Sequence, residues 1–253
     1  AIIALSWSRR RHVVRLLSPR AIGLYAIAGA LISVNWFLFL FAVNNGQIEA
    51  SSLGYFITRL VNVLLGVIVL HERLRPMQWS AVALAFMGVA WLTAAYGGLP
   101  WIALALAGSF GGYGLVKKQA PLPSLEGLAI ETAVLVVPAA IYLVALHRNG
   151  TGAFLTAGPL TDVLLVAAGG ITVVPLLLFA WAVRRVPLPV IGILQYISPT
   201  IQFLLGVFLI HEPFTKTQLS GFILVWLGLV VFGLDGVRTR RAPALTVIDG
   251  GTA

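Results

Sequence analysis

The chain has 253 residues, of which 59% are hydrophobic and only 10% charged, with a formal charge of +9 and no cysteine. A soluble domain carries about 25% charged residues, so the composition excludes an ordinary soluble globule, and the missing cysteine excludes a disulfide framework and a thiolate metal site. The positive charge sits in the connections between apolar runs rather than on one face, which argues against a nucleic-acid surface.

Ala1–Trp7 is too short to span a bilayer and reads as the end of a helix that begins upstream or as a poor signal peptide; basic residues that follow rather than precede it favour the first. Ser8–Arg20, with Arg9, Arg10, Arg11, Arg15 and Arg20, is a solvated loop. Eight apolar segments follow, at roughly 21–44, 50–70, 77–95, 100–116, 125–146, 161–183, 189–210 and 217–235. Turn residues part them: Asn44-Asn45-Gly46, Arg75-Pro76, Gly97-Gly98-Leu99-Pro100, Pro121–Pro123, Asn149-Gly150 and Val186-Pro187. Alternating ten-residue strands are missing from the pattern, so helices are the spanning form. Residues 237–253 are polar and read as a disordered cytoplasmic tail.

Arginine and lysine divide unevenly among the loops. One side holds the five of Ser8–Arg20 with Arg73, Arg75, Lys117, Lys118, Arg184, Arg185, Arg238, Arg240 and Arg241, fourteen in all; the other holds Arg148 and Lys216. The richer side is therefore assigned to the cytoplasm.

The stretch Gly54–Glu72, GYFITRLVNVLLGVIVLHE, returns 140 residues later as Leu194–Glu212, LQYISPTIQFLLGVFLIHE. Leu64-Leu65-Gly66-Val67 with His71-Glu72 matches Leu204-Leu205-Gly206-Val207 with His211-Glu212. Five spans separate the copies, an odd number, so they face opposite sides. This is an inverted-topology repeat, the architecture of alternating access. The same shift carries segment 125–146 back to a position ending near Leu5. The expected fold is an all-α membrane protein, an inverted-repeat helical bundle of 5+5 transmembrane helices in the parent, with about eight complete here. Residues 1–97 form the first repeat, lacking its first helix and most of its second, and 98–236 form the second repeat.

Several motifs carry a family likeness: Asn35-Trp36, Ala42–Gly46, Gly54-Tyr55-Phe56, Val61–Gly66, Glu72-Arg73-Leu74, Leu99–Ala103, Ser109-Phe110-Gly111 with Tyr113-Gly114, Glu131-Thr132, Val174-Pro175-Leu176, Leu194–Thr200 and Gln202-Phe203-Leu204. On these the chain resembles the EamA-type repeats of the drug/metabolite transporter superfamily, and within it the RarD family. The resemblance implies a multi-pass permease of the bacterial inner (cell) membrane, moving a small metabolite or drug. One departure stands out. The family usually has Asn-Pro where this chain has Thr58-Arg59, while Pro199 is kept in the second copy.

In the repeated helix Ser52, Tyr55, Arg59, Asn62 and Gly66 share a face, and Gly192, Gln195, Pro199, Gln202 and Gly206 are their copies. Two readings stand: the stripes line a substrate cavity, or they are packing surfaces of small and hydrogen-bonding residues. On the cavity reading the substrate-pathway residues are Asn35, Trp36, Tyr55, Arg59, Asn62, Ser109, Tyr113, Gln195, Tyr196 and Gln202. Arg59 lies roughly 14 Å along its helix from Ala50, near the bilayer midplane. A charge there costs at least about 2.5–3.5 kcal/mol on insertion scales and should face the bundle interior. Its role is either an anion or counter-ion site, with Glu131 as partner, or a helix-holding ion pair. Glu131, within its span, is a candidate for proton coupling or a snorkelling interfacial residue.

His71-Glu72 and His211-Glu212 fail the zinc-protease pattern, because Arg75 and Thr215 stand where the second histidine is needed. Gly108-x-x-x-Gly112 is a packing signal. Trp79, Trp101 and Trp181 lie near segment ends as interfacial anchors. No catalytic residue, metal site or cofactor is expected. The partners are a small-molecule substrate and the lipid bilayer, with oligomeric state left open. The function read from the sequence is secondary transport by alternating access; the alternative is a non-transporting membrane scaffold or assembly partner.

Overall fold

The computed structural model describes residues 18–95, 100–205 and 216–241. Among them lie nine helices: α1 (Pro19–Asn44), α2 (Ile48–Ile68), α3 (Pro76–Ala95), α4 (Trp101–Gln119), α5 (Ser124–Arg148), α6 (Pro159–Val183), α7 (Leu188–Leu194), α8 (Ile197–Leu205) and α9 (Lys216–Arg241). Within the described residues each expected span is helical. The seventh, read from sequence as one run over 189–210, is divided into α7 and α8. The last, expected to finish at 235, continues to Arg241. His211 and Glu212, like Gly206, fall outside the described residues.

Local chemistry sets the helix ends. Ser18 caps α1, its Oγ accepting from Ala21 N–H at 3.2 Å, and Pro19 opens the first turn. α1 ends where Gly46 takes a φ of +69°, a conformation that favours glycine. Gln78 starts α3 by accepting from Arg75 N–H at 3.0 Å, the reciprocal arm of a capping box. Lys117 and Lys118 occupy the last turn of α4, where a cation suits the helix dipole.

Helices α1, α3, α5 and α6, with residues 219–238 of α9, are long and apolar enough to cross a membrane. The chain forms two compact units. Unit 1 comprises Ala1–Glu72 and Pro100–Gly192; unit 2 comprises Arg73–Leu99 and Ile193–Ala253.

In unit 1, α4 packs on α1 and α2, and α5 packs on α1. Close approach of α2 and α4 depends on Gly111, where a Cβ would lie 2.6 Å from Val61. The expected Gly108–Gly112 motif does not make this seam, since a Cβ at Gly108 would meet nothing within 4 Å. In unit 2, α3 and α9 pack backbone to backbone. A Cβ at Gly88 would lie 2.8 Å from Gly221 O, and one at Gly228 would lie 2.8 Å from Ala81 O. Small residues substitute for the hydrophobic effect that lipid cannot supply between helices.

Candidate functional site

The polar face of α2 lies inside unit 1. Asn62 is wholly buried, Thr58 and Arg59 are buried, and Tyr55 is 38% exposed. The Arg59 guanidinium sits 5.5 Å from the centre of the Tyr55 ring, a cation–π contact that offsets part of the charge's burial. Rings continue from there onto α1: Tyr55 to Phe39 at 6.0 Å, and Phe39 to Trp36 at 6.0 Å. The α2 backbone is unbroken past Arg59. Thr58 Oγ1 donates to Gly54 O at 2.7 Å, keeping its hydroxyl satisfied within the helix.

Gly66 and Gly192, the stripe glycines among the described residues, are packing residues. A Cβ at Gly66 would lie 2.3 Å from Pro189 Cδ, and one at Gly192 would lie 2.6 Å from Arg59 O. The packing reading thus holds at Gly66 and Gly192, and Arg59 and Asn62 place polar groups beside that seam.

Asn35 and Ser109 meet directly. Asn35 Nδ2 donates to Ser109 Oγ and to Leu106 O, each at 3.0 Å, tying α1 to α4. Trp36, next in sequence, is exposed. Tyr113 is fully buried, its ring stacked on Phe179 at 6.0 Å in a core with Ala28, Ile32 and Phe110.

Glu131 does not partner Arg59. Its Oε2 is 2.7 Å from Lys117 Nζ, with side-chain exposures of 2% and 3% respectively. Aromatic rings flank the ammonium, Tyr113 at 5.5 Å and Tyr25 at 5.8 Å. The Tyr25 hydroxyl in turn accepts from Leu122 N–H at 2.9 Å, fixing the turn between α4 and α5. Lys117, counted from sequence as a loop cation, is thus drawn inside by a carboxylate fourteen residues on.

The His71-Glu72 pair marks a helix end and a junction. His71 has a φ of 54°, and Glu72 N–H donates to Gly66 O at 2.9 Å, turning the chain back at the end of α2. Glu72 Oε1 is 2.5 Å from Lys118 Nζ, while Oε2 accepts from Leu188 N–H at 2.7 Å. Lys118 Nζ also donates to Val186 O at 3.0 Å. Arg184 donates through Nη1 to Ala120 O and Leu122 O. The loops after α2, α4 and α6, which the charge distribution placed on one side, thus meet at one end of unit 1.

In unit 2, Gln195 and Tyr196 form the gap between α7 and α8, with Gln195 half-buried and Tyr196 buried. Pro199 has no N–H, and its ring collides with the carbonyl four residues back, that of Gln195. The gap is held by Thr200 Oγ1, which donates to Tyr196 O at 2.8 Å and accepts from Trp226 Nε1 at 3.0 Å. Gln202 lies in α8, and its side chain is outside what the structure describes. Among the described residues no cluster of three or more His, Asp or Glu could hold a metal ion.

Sequence reasoning missed Lys117, Lys118 and Thr200 as site-supporting residues. Two basic residues in a last helical turn, followed by a carboxylate inside the next span, were the available signal for the first pair.

A family model described as the EamA-like transporter family matches residues 1–94 and 99–234. Protein RarD of Streptomyces exfoliatus is 46% identical over 242 residues, covering 95% of this chain and 76% of that protein. An uncharacterized transporter, YojE of Bacillus subtilis, is 45% identical over 217 residues, covering 85% of this chain and 72% of that protein. A solved crystal structure superposes with a TM-score of 0.63 at 21% identity, over 94% of this chain and 84% of that one; it supports the fold alone.

Proposed function

We propose, because the chain belongs to the EamA-like transporter family, that it moves a small metabolite or drug across the bacterial inner membrane as a secondary transporter, by alternating access. Family membership makes it a multi-pass membrane transporter rather than an enzyme; substrate, mechanism and orientation are our reading. The observation that carries it is the buried polar run Thr58, Arg59 and Asn62 in the body of a span. Ionisable and amide groups at that depth are expensive, and they mark pathways.

In unit 1, substrate contact is assigned to Asn35, Trp36, Tyr55, Arg59, Asn62 and Ser109, with Tyr113 behind them. In unit 2, the assignment is to Gln195 and Tyr196, at a helix gap of the kind that offers main-chain groups to a substrate, and to Gln202. Residues 1–97 and 98–236 are the inverted repeats, and the fourteen-to-two charge split supports a cytoplasmic C-terminus. Glu131 remains our candidate for proton coupling under one condition. A proton on Glu131 would leave Lys117 a buried ammonium without its counter-charge, so the pair must part during the cycle.

Metabolite profiling of cells with and without the full-length gene, followed by flux of the altered compounds in reconstituted vesicles, tests this reading. Saturable flux that falls in an Arg59→Gln variant is the expected result. Tight partner binding with no flux of any profiled compound would replace it with the scaffold reading.

A further inference from the structure

Helix α6 is the barest in unit 1, with only 6% of its spanning window buried. Leu160, Val163, Val166, Ile171, Val174 and Leu178 are all exposed along it. In a membrane transporter acyl chains cover such a face. The face ends at Trp181, exposed in the last turn, and two arginines follow at once.

Those arginines are used differently. Arg184 is half-buried and spends Nη1 on the carbonyls of Ala120 and Leu122, so it holds the α4–α5 turn. Arg185 is exposed, and its guanidinium lies 4.2 Å from the centre of the Trp181 ring while Nη1 donates to Trp181 O at 3.2 Å. A guanidinium has five N–H donors in a fixed fork matched to phosphate oxygens. Contact with the indole holds that fork at the end of the apolar face, where the positive-inside split places the interface. The neighbouring lysines add no competing exposed charge: Lys117 is paired with Glu131 and Lys118 with Glu72.

We propose that Trp181 and Arg185 form a binding site for the headgroup phosphate of an anionic phospholipid whose chains lie along α6. The Trp181 ring supports the glycerol region, and Arg185 takes the phosphate through its outward donors. Charge complementarity calls for an anion, and continuity between the apolar face and the stacked cation selects a lipid over a free one.

Phosphatidylglycerol titrated into the purified full chain, read by lipid retention in native mass spectrometry and by thermal unfolding, tests the site. Arg185→Gln is expected to weaken retention about five-fold, the effect of one interfacial cation. Arg185→Lys, which keeps the charge but loses the planar fork, falls between the two. Arg148→Gln, at the far end of α5, leaves retention unchanged, and inorganic phosphate does not displace the lipid. Equal retention by the wild type and by folded Arg185→Gln or Arg185→Lys overturns the site. Displacement by millimolar phosphate also overturns it, in favour of a free-anion site.

Discussion

The two copies of the repeated helix are identical at seven of nineteen positions over Gly54–Glu72 and Leu194–Glu212, and their described parts fold differently. The first is the unbroken α2; the second parts into α7 and α8 at Gln195–Tyr196. Of the positions that differ, Pro199 against Arg59 bears most directly on the backbone. Pro199 cannot donate to the carbonyl four residues back, whereas Arg59 at the same place can, and its helix runs on. Where the second copy has a helix gap, the first has a buried cation resting on Tyr55. Matched positions of a duplicated sequence therefore need not carry the same local structure.

The contrast depends on a rigid setting around α2, and the most damaging way to break that setting is to unpair its buried charges. Lys117→Met should cost about 3–5 kcal/mol by stranding Glu131. Lys117→Met with Glu131→Leu should regain most of the loss, as read by thermal unfolding in detergent. Next in size, Arg59→Pro gives the first copy the second copy's proline, at about 3 kcal/mol. It should open α2 near Tyr55 and change uptake; transport and selectivity equal to wild type would leave the cation no role.

Glu72→Ala releases both Lys118 and the Leu188 N–H, uncoupling the end of the first copy from the start of the second. We expect a loss of about 1.5–3 kcal/mol, the range for hydrogen bonds to charged groups, measured by unfolding. The smallest effect sharpens the comparison from the other side. Thr200→Val removes the Trp226 acceptor beside the gap, for about 1 kcal/mol, and should alter transport without unfolding the chain.

Much of the fold was readable from the sequence, because lipid leaves few options. Apolar runs of bilayer length, bounded by Pro19, Gly46, Pro76, Pro123 and Pro159, are helices at nearly their expected ends. The grouping of loops also emerged from charge, and Glu72–Lys118 and Arg184–Leu122 bring those loops to one end of unit 1. The gap at Gln195 was legible only in part, since Pro199 predicts a disturbed carbonyl but not whether the helix bends or parts. The partner of Glu131 was not legible. Arg59 was the other ionisable group read inside a span, but pairing depends on which helices touch, and hydropathy says nothing of that. Lys117 reaches inward to the Glu131 carboxylate, with the rings of Tyr25 and Tyr113 flanking its ammonium.

The most direct test is the orientation of the two His-Glu ends. The chain has no cysteine, so His71→Cys and His211→Cys each give a single thiol for a membrane-impermeant reagent in intact cells. We predict labelling of the second from outside and of the first only after permeabilisation. Labelling of both from the same compartment would contradict the inverted repeat.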